Sequence, residues 1–98
     1  MRQRFDVVRG PRFQAAAQRL HARIAFPISE LQHALTIVQM LLCGQADDDT
    51  CFPADEDGLR VYTLPCGSAL PTLEFFYFVE GHYAWIIDVA APYGDDRP

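Results

Sequence analysis

Apolar residues recur at helical spacing through the first half of this chain and in strand-length runs bounded by turn residues through its last forty residues. The pattern predicts helices first and strands afterwards. Phe5-Asp6-Val7-Val8 alternates weakly and stops at Gly10-Pro11, which predicts a short strand and a break. Pro11 suits the first turn of a helix, where its missing amide hydrogen costs nothing. Phe13, Ala16, Ala17, Leu20 and Ile24 then share one helical face, while Arg12, Arg19 and Arg23 share another. Pro27 should end this helix near Ala25, because its ring disfavours helical geometry in the preceding residue. Ser29 and Gln32 have the spacing of a capping box. Leu31, Ala34, Leu35, Val38, Leu41 and Leu42 follow at helical spacing, and Ile37 and Met40 widen the stripe, which predicts a second helix buried on more than one side. Gly44 is placed to cap its end. So short a connection predicts an antiparallel helix hairpin.

Three strands are expected after that: Leu59 to Leu64, Thr72 to Glu80, and Tyr83 to Ala90. Only Gly81-His82 separates the last two, and a two-residue loop with glycine first suits a type II′ turn. Such a turn sets the register. Glu80 faces Tyr83, Phe78 faces Trp85, Phe76 faces Ile87 and Glu74 faces Val89. The other side of the hairpin pairs Val79 with Ala84, Tyr77 with Ile86, Phe75 with Asp88, and Leu73 with Ala90. The fold class expected is therefore α+β, in the order β-α-α-β-β-β, with a helix hairpin packed on one face of an antiparallel sheet. We assign the helices to the face of Leu73, Phe75, Tyr77, Val79 and Ile86. The opposite face then presents Phe76, Phe78, Trp85 and Ile87, ringed by Glu74, Glu80 and Tyr83. An apolar patch with a polar rim marks a site for a protein partner. Reversed faces, or a homodimer formed through this surface, are the competing readings.

Ninety-eight residues make one domain, 1–98, with half of them apolar. Charge is unevenly placed: the first 23 residues hold six arginines against Asp6 alone, and the rest hold Arg60 and Arg97 against twelve acids. A basic end of this kind suits an anionic partner, and the acidic remainder excludes a nucleic-acid enzyme with a cleft that is basic throughout. No apolar run approaches the roughly 18 residues of a membrane span, and no secretory signal is apparent, so a cytoplasmic location is expected. Cys43, Cys51 and Cys66 are odd in number and lack metal-pair spacing, which predicts free, mostly buried thiols. Asp47, Asp48, Asp49, Asp55, Glu56 and Asp57 lie in a loop without the alternation that a calcium loop requires, so a solvated acidic loop is expected. Neither a metal nor an organic cofactor is called for.

Leu59-Arg60-Val61-Tyr62-Thr63-Leu64, Leu73 to Gly81 and Ile86-Ile87-Asp88-Val89, together with the element order, resemble the RelE/ParE superfamily of bacterial toxin–antitoxin toxins. The resemblance spans nearly the whole chain, on loose motifs. It implies a toxin that cleaves mRNA on the ribosome or poisons DNA gyrase, silenced by an antitoxin wrapped over it. Carried onto this sequence, Arg60 matches the second-strand arginine and Tyr93 stands where a C-terminal tyrosine often lies, which makes both candidate catalytic residues. Two positions depart from the pattern. Glu74 replaces the third-strand arginine, and Ala90-Ala91-Pro92 stands where a basic residue or histidine usually follows the fourth strand. A carboxylate repels the phosphate that a cation would hold.

The expectation is thus a toxin-like component of a type II toxin–antitoxin system that acts through protein binding, with its antitoxin and gyrase as partners. A ribosome-dependent mRNA endonuclease is the alternative. It would use Arg60 and Tyr93, with Arg12, Arg19 and Arg23 gripping RNA. A further alternative is a non-toxic, acidic interaction or immunity-type protein that docks through its aspartates. His21, His33 and His82 assemble with no nucleophile.

Overall fold

The computed structural model describes residues 5–23, 28–65 and 72–91. Its elements run β1 (Asp6–Arg9), α1 (Pro11–Arg23), α2 (Ile28–Gln45), β2 (Arg60–Leu64), β3 (Leu73–Glu80) and β4 (Tyr83–Ala90). The architecture is α+β in the expected order. The sheet, however, is mixed, in the order β1-β4-β3-β2, with β1 parallel to β4 and the other pairs antiparallel. An all-antiparallel sheet is therefore wrong. β1 and β4 are joined through every other element, and only a long crossover of that kind permits a parallel pair.

The β3–β4 turn is as expected. Glu80 pairs with Tyr83, and Gly81 has a φ of 62° while His82 has none in the positive range, the pattern of a type II′ turn. The register holds through Tyr77 with Ile86 and then shifts, so that Phe76 pairs with Asp88 and Phe75 with Val89. Ile87 is the extra residue of a β-bulge. The expected pairs Phe76–Ile87, Phe75–Asp88, Glu74–Val89 and Leu73–Ala90 are thus corrected. The physical reason is the Asp88 carboxylate. Uninterrupted pairing sets it against the fully buried Phe75, where an unpaired charge is prohibitive, and the bulge installs Val89 there instead.

Among the described residues, the buried hydrophobic side chains form one cluster. Phe13, Ala16 and Leu20 come from α1; Leu31, Ala34, Leu35, Val38 and Leu42 come from α2; Leu73, Phe75, Tyr77, Ala84, Ile86 and Val89 come from the sheet. Val7, Tyr62, Leu64 and Val79 pack against it from the same side of the strands. Phe76, Phe78, Trp85 and Ile87 are half-buried and outside it.

The second helix departs from expectation at three points. It begins at Ile28, so Ser29 lies inside it rather than capping it. It runs to Gln45, one residue past Gly44, which has no positive φ. Ile37 (38% exposed) and Met40 (71% exposed) face solvent, so the helix buries one stripe and not a wider one. Between α1 and α2 lies a cleft of about 690 Å³ lined by residues of both, which a closely packed hairpin would fill. The turn at Ala25-Pro27, the end of the Ile24 stripe and the Cys66-Gly67-Ser68 turn lie outside the described residues.

The end of α2 is anchored by two bonds from elsewhere in the chain. The Phe5 amide donates to the Cys43 carbonyl at 2.9 Å. The buried Tyr77 hydroxyl donates to the Ala46 carbonyl at 2.8 Å. Burial holds that hydroxyl protonated far above the ordinary tyrosine range. Tyr77→Phe leaves the Ala46 carbonyl unsatisfied, and urea unfolding should show a loss of about 1–2 kcal/mol.

Candidate functional site

Cross-strand pairing assembles rows of side chains on the sheet side opposite the core. Val8 of β1, Trp85 of β4 and Phe78 of β3 form one row, and Val61 of β2, Phe76 and Asp88 form the next. Phe78 and Trp85 stack with centroids 6.4 Å apart and an interplanar angle of 13°. Tyr83 lies 6.1 Å from Trp85, and the His82 ring lies 4.2 Å from Tyr83. The patch is thus a continuous aromatic run that extends from the hairpin turn toward the sheet centre. Trp85 Nε1 is buried, with no hydrogen-bond partner among the described residues. An indole N–H buried without an acceptor costs about 1–3 kcal/mol.

Asp6, Tyr83 and Glu80 make a row at the turn end of this face, and Thr63, Glu74 and Ala90 make one at the far end. Three contributors beyond the expected patch residues enter through topology: Val8, through the parallel β1–β4 pairing, Val61, and Asp88, through the bulge. The signal available for Asp88 was its incompatibility with the core.

Arg60 is not poised toward solvent. Its side chain is 13% exposed, and Nη1 donates to Asp49 Oδ1 at 2.7 Å and to the Phe52 carbonyl at 2.6 Å. It ties the acidic loop to β2. The loop is accordingly structured: the Asp48 carboxylate accepts the Thr50 and Cys51 amides at 2.9 and 3.3 Å, and the Asp55 carboxylate accepts the Asp57 and Leu59 amides at 2.9 and 2.8 Å. The Cys51 and Thr50 amides hold the Asp48 carboxyl below its ordinary 3.8. Its contribution is present above that value and is lost as the pH falls through the lower, folded one. The nearby Asp48 charge raises the Cys51 thiol, which keeps it in the poorly nucleophilic form. Cys51 is exposed and Cys43 half-buried, so the expectation of mostly buried thiols fails at Cys51, and Cys66 lies outside the described residues.

The structure places Arg12, Arg19 and Arg23 on the exposed side of α1. Arg19 and Arg23 line a small pocket of about 200 Å³ with Asp88 and the end of β4, whereas Arg60 lies on β2 at the other edge of the sheet. These arginines are therefore not gathered around Arg60. Tyr93, the other candidate catalytic residue, lies outside the described residues. His33 is exposed on α2, and His21 lines the α1–α2 cleft with Arg9, Gln14 and Gln18. Among the described residues, no group of three or more His, Cys, Asp or Glu side chains is placed to hold a metal ion. No described helix is long and apolar enough to cross a membrane.

No family model, curated protein or solved structure matches the chain.

Arg60→Ala removes a charged donor from a half-buried carbonyl and frees Asp49. Stability should fall by about 1.5–3 kcal/mol in denaturant unfolding. A substrate-facing arginine would be replaced at almost no cost in stability, and that result would contradict the structural role.

Proposed function

We propose that this protein is a toxin-like component of a toxin–antitoxin pair and acts by binding a protein partner rather than by cutting RNA. The docking surface is the face of Phe76, Phe78, Trp85 and Ile87. The single observation that carries the binding mode is the stacked pair of Phe78 and Trp85, with Tyr83 tilted against Trp85, on the side of the sheet outside the core cluster. In this reading the two helices cover the other side alone, and a partner segment excludes water from the aromatic rings, which is where interface energy concentrates. The toxin assignment itself rests on the resemblance in element order and strand motifs.

Two facts favour binding over catalysis. The guanidinium of Arg60 is engaged by Asp49 and the Phe52 carbonyl, so it offers little to a phosphate. Glu74 supplies a negative charge on the face where the resemblance calls for a cation, and in-line attack of a 2′-hydroxyl needs developing negative charge to be stabilised.

Expression of the chain alone from a tightly controlled promoter should arrest growth. Phe78→Glu, which places a charge among the aromatic rings, should abolish the arrest. Primer extension on mRNA in a translating extract should show no new cleavage. Harmless expression of a folded native chain overturns the toxin assignment, and codon-register cleavage returns the endonuclease.

A further inference from the structure

The aromatic face is bordered by acids at both ends. Asp6 and Glu80 flank Tyr83 in the row at the hairpin turn, and Glu74 lies between Thr63 and Ala90 in the far row. The bulge at Ile87 sets the Asp88 backbone opposite Phe76, but Asp88 shares a pocket with Arg19 and Arg23 of α1 and is not counted among these acids. Neither Glu74 nor Glu80 has an ion-pair partner among the described residues, although Glu74 is half-buried. Asp6 approaches His82 Nε2 at 3.6 Å.

The described arginines are directed elsewhere. Arg9 and Arg60 pair with Ile86 and Tyr77, in rows on the core side of the sheet. Arg12, Arg19 and Arg23 belong to α1, where Arg19 and Arg23 come beside Asp88 but not beside Glu74 or Glu80. An apolar centre with Glu80 at one end and Glu74 at the other, neither ion-paired among the described residues, has a defined complement. It suits an amphipathic segment whose apolar side chains cover Phe78 and Trp85 and whose cations reach outward to the two ends. An acidic segment would meet like charges at each end, and nucleic acid would be repelled outright.

We infer that the occupant of this face is a basic amphipathic segment of a protein partner, held by Glu74 and Glu80 at opposite ends of the aromatic row. The inference rests on the docking face proposed above and adds the chemistry of its ligand.

Trp85 is the chain's single tryptophan, so its fluorescence reports this face and no other. The probes are a tryptophan-free helical peptide of about 18 residues, built from leucine, alanine and arginine, and its counterpart with glutamate in place of arginine. The arginine peptide should shift Trp85 emission to the blue, bind at least about tenfold tighter than the glutamate peptide, and lose that advantage in high salt. The isosteric double variant Glu74→Gln/Glu80→Gln should keep the native far-ultraviolet spectrum and unfolding midpoint while losing most of the preference. Equal binding of both peptides overturns the charge inference and leaves an apolar docking face standing. Preference retained in the double variant also overturns it and moves the contact to Asp47–Asp57. No response to either peptide, or a concentration-dependent dimer that buries Trp85, overturns it as well. The growth assay reads the proposed function separately, so the two failures are distinguishable.

Discussion

The Tyr77 hydroxyl reaches the Ala46 carbonyl from the middle of β3, and the placement of much of the molecule follows from that bond. Tyr77 is fully buried, so its hydroxyl must find an acceptor, and the first residue beyond α2 supplies one. The bond fixes where α2 ends relative to the sheet. The Tyr77 ring also meets Phe52 edge-on at 6.3 Å, and Phe52 meets Tyr62 at 5.5 Å, which carries the same anchor into the acidic loop and β2. Arg60 closes the circuit by bonding the Phe52 carbonyl. With Tyr77 inward, Phe76 and Phe78 must point the other way, because neighbouring strand residues alternate. One buried hydroxyl thus commits the aromatic neighbours to the opposite side.

The hairpin could be read from the sequence because its information is local. Gly81-His82 admits a two-residue turn, Gly81 takes the positive φ that such a turn needs, and the pairing of Phe78 with Trp85 follows. The bulge at Ile87 could not be read from the turn, since a turn specifies register only while pairing stays uninterrupted. Its trace in the sequence was an aspartate assigned to a core position. The parallel placement of β1 was equally hidden. Nothing local in Asp6–Arg9 says which strand it joins. Ile37 and Met40 lie on the exposed side of α2 although their spacing fits a wider stripe, because apolar residues on helix surfaces are common and periodicity alone does not assign them to a core.

Of the candidate site residues, Phe76, Phe78, Trp85 and Ile87 share a face because alternation and a legible turn put them there. Arg60 shows where sequence reasoning stops. Its partners, Asp49 and Phe52, come from a loop whose course depends on the Asp48 and Asp55 carboxylates bonding local amides, and that geometry has no periodic signature. The result changes the chemistry attached to the residue: an arginine that appears free in a strand pattern is a brace between loop and sheet. The acidic run is similarly repurposed. Asp48, Asp49 and Asp55 organise the loop, and the carboxylates that border the aromatic face come from the strands instead.

The central claim is that the sheet has one structural side and one working side, and comparison of unfolding free energies across the two sides of β3 tests it most directly. Phe75→Ala, on the core side, should cost about 3–5 kcal/mol by cavity formation. Phe78→Ser, three residues along the same strand on the other side, should cost no more than about 1 kcal/mol. A loss at Phe78 equal to that at Phe75 would mean that the aromatic row is itself a core, and the docking account would fall.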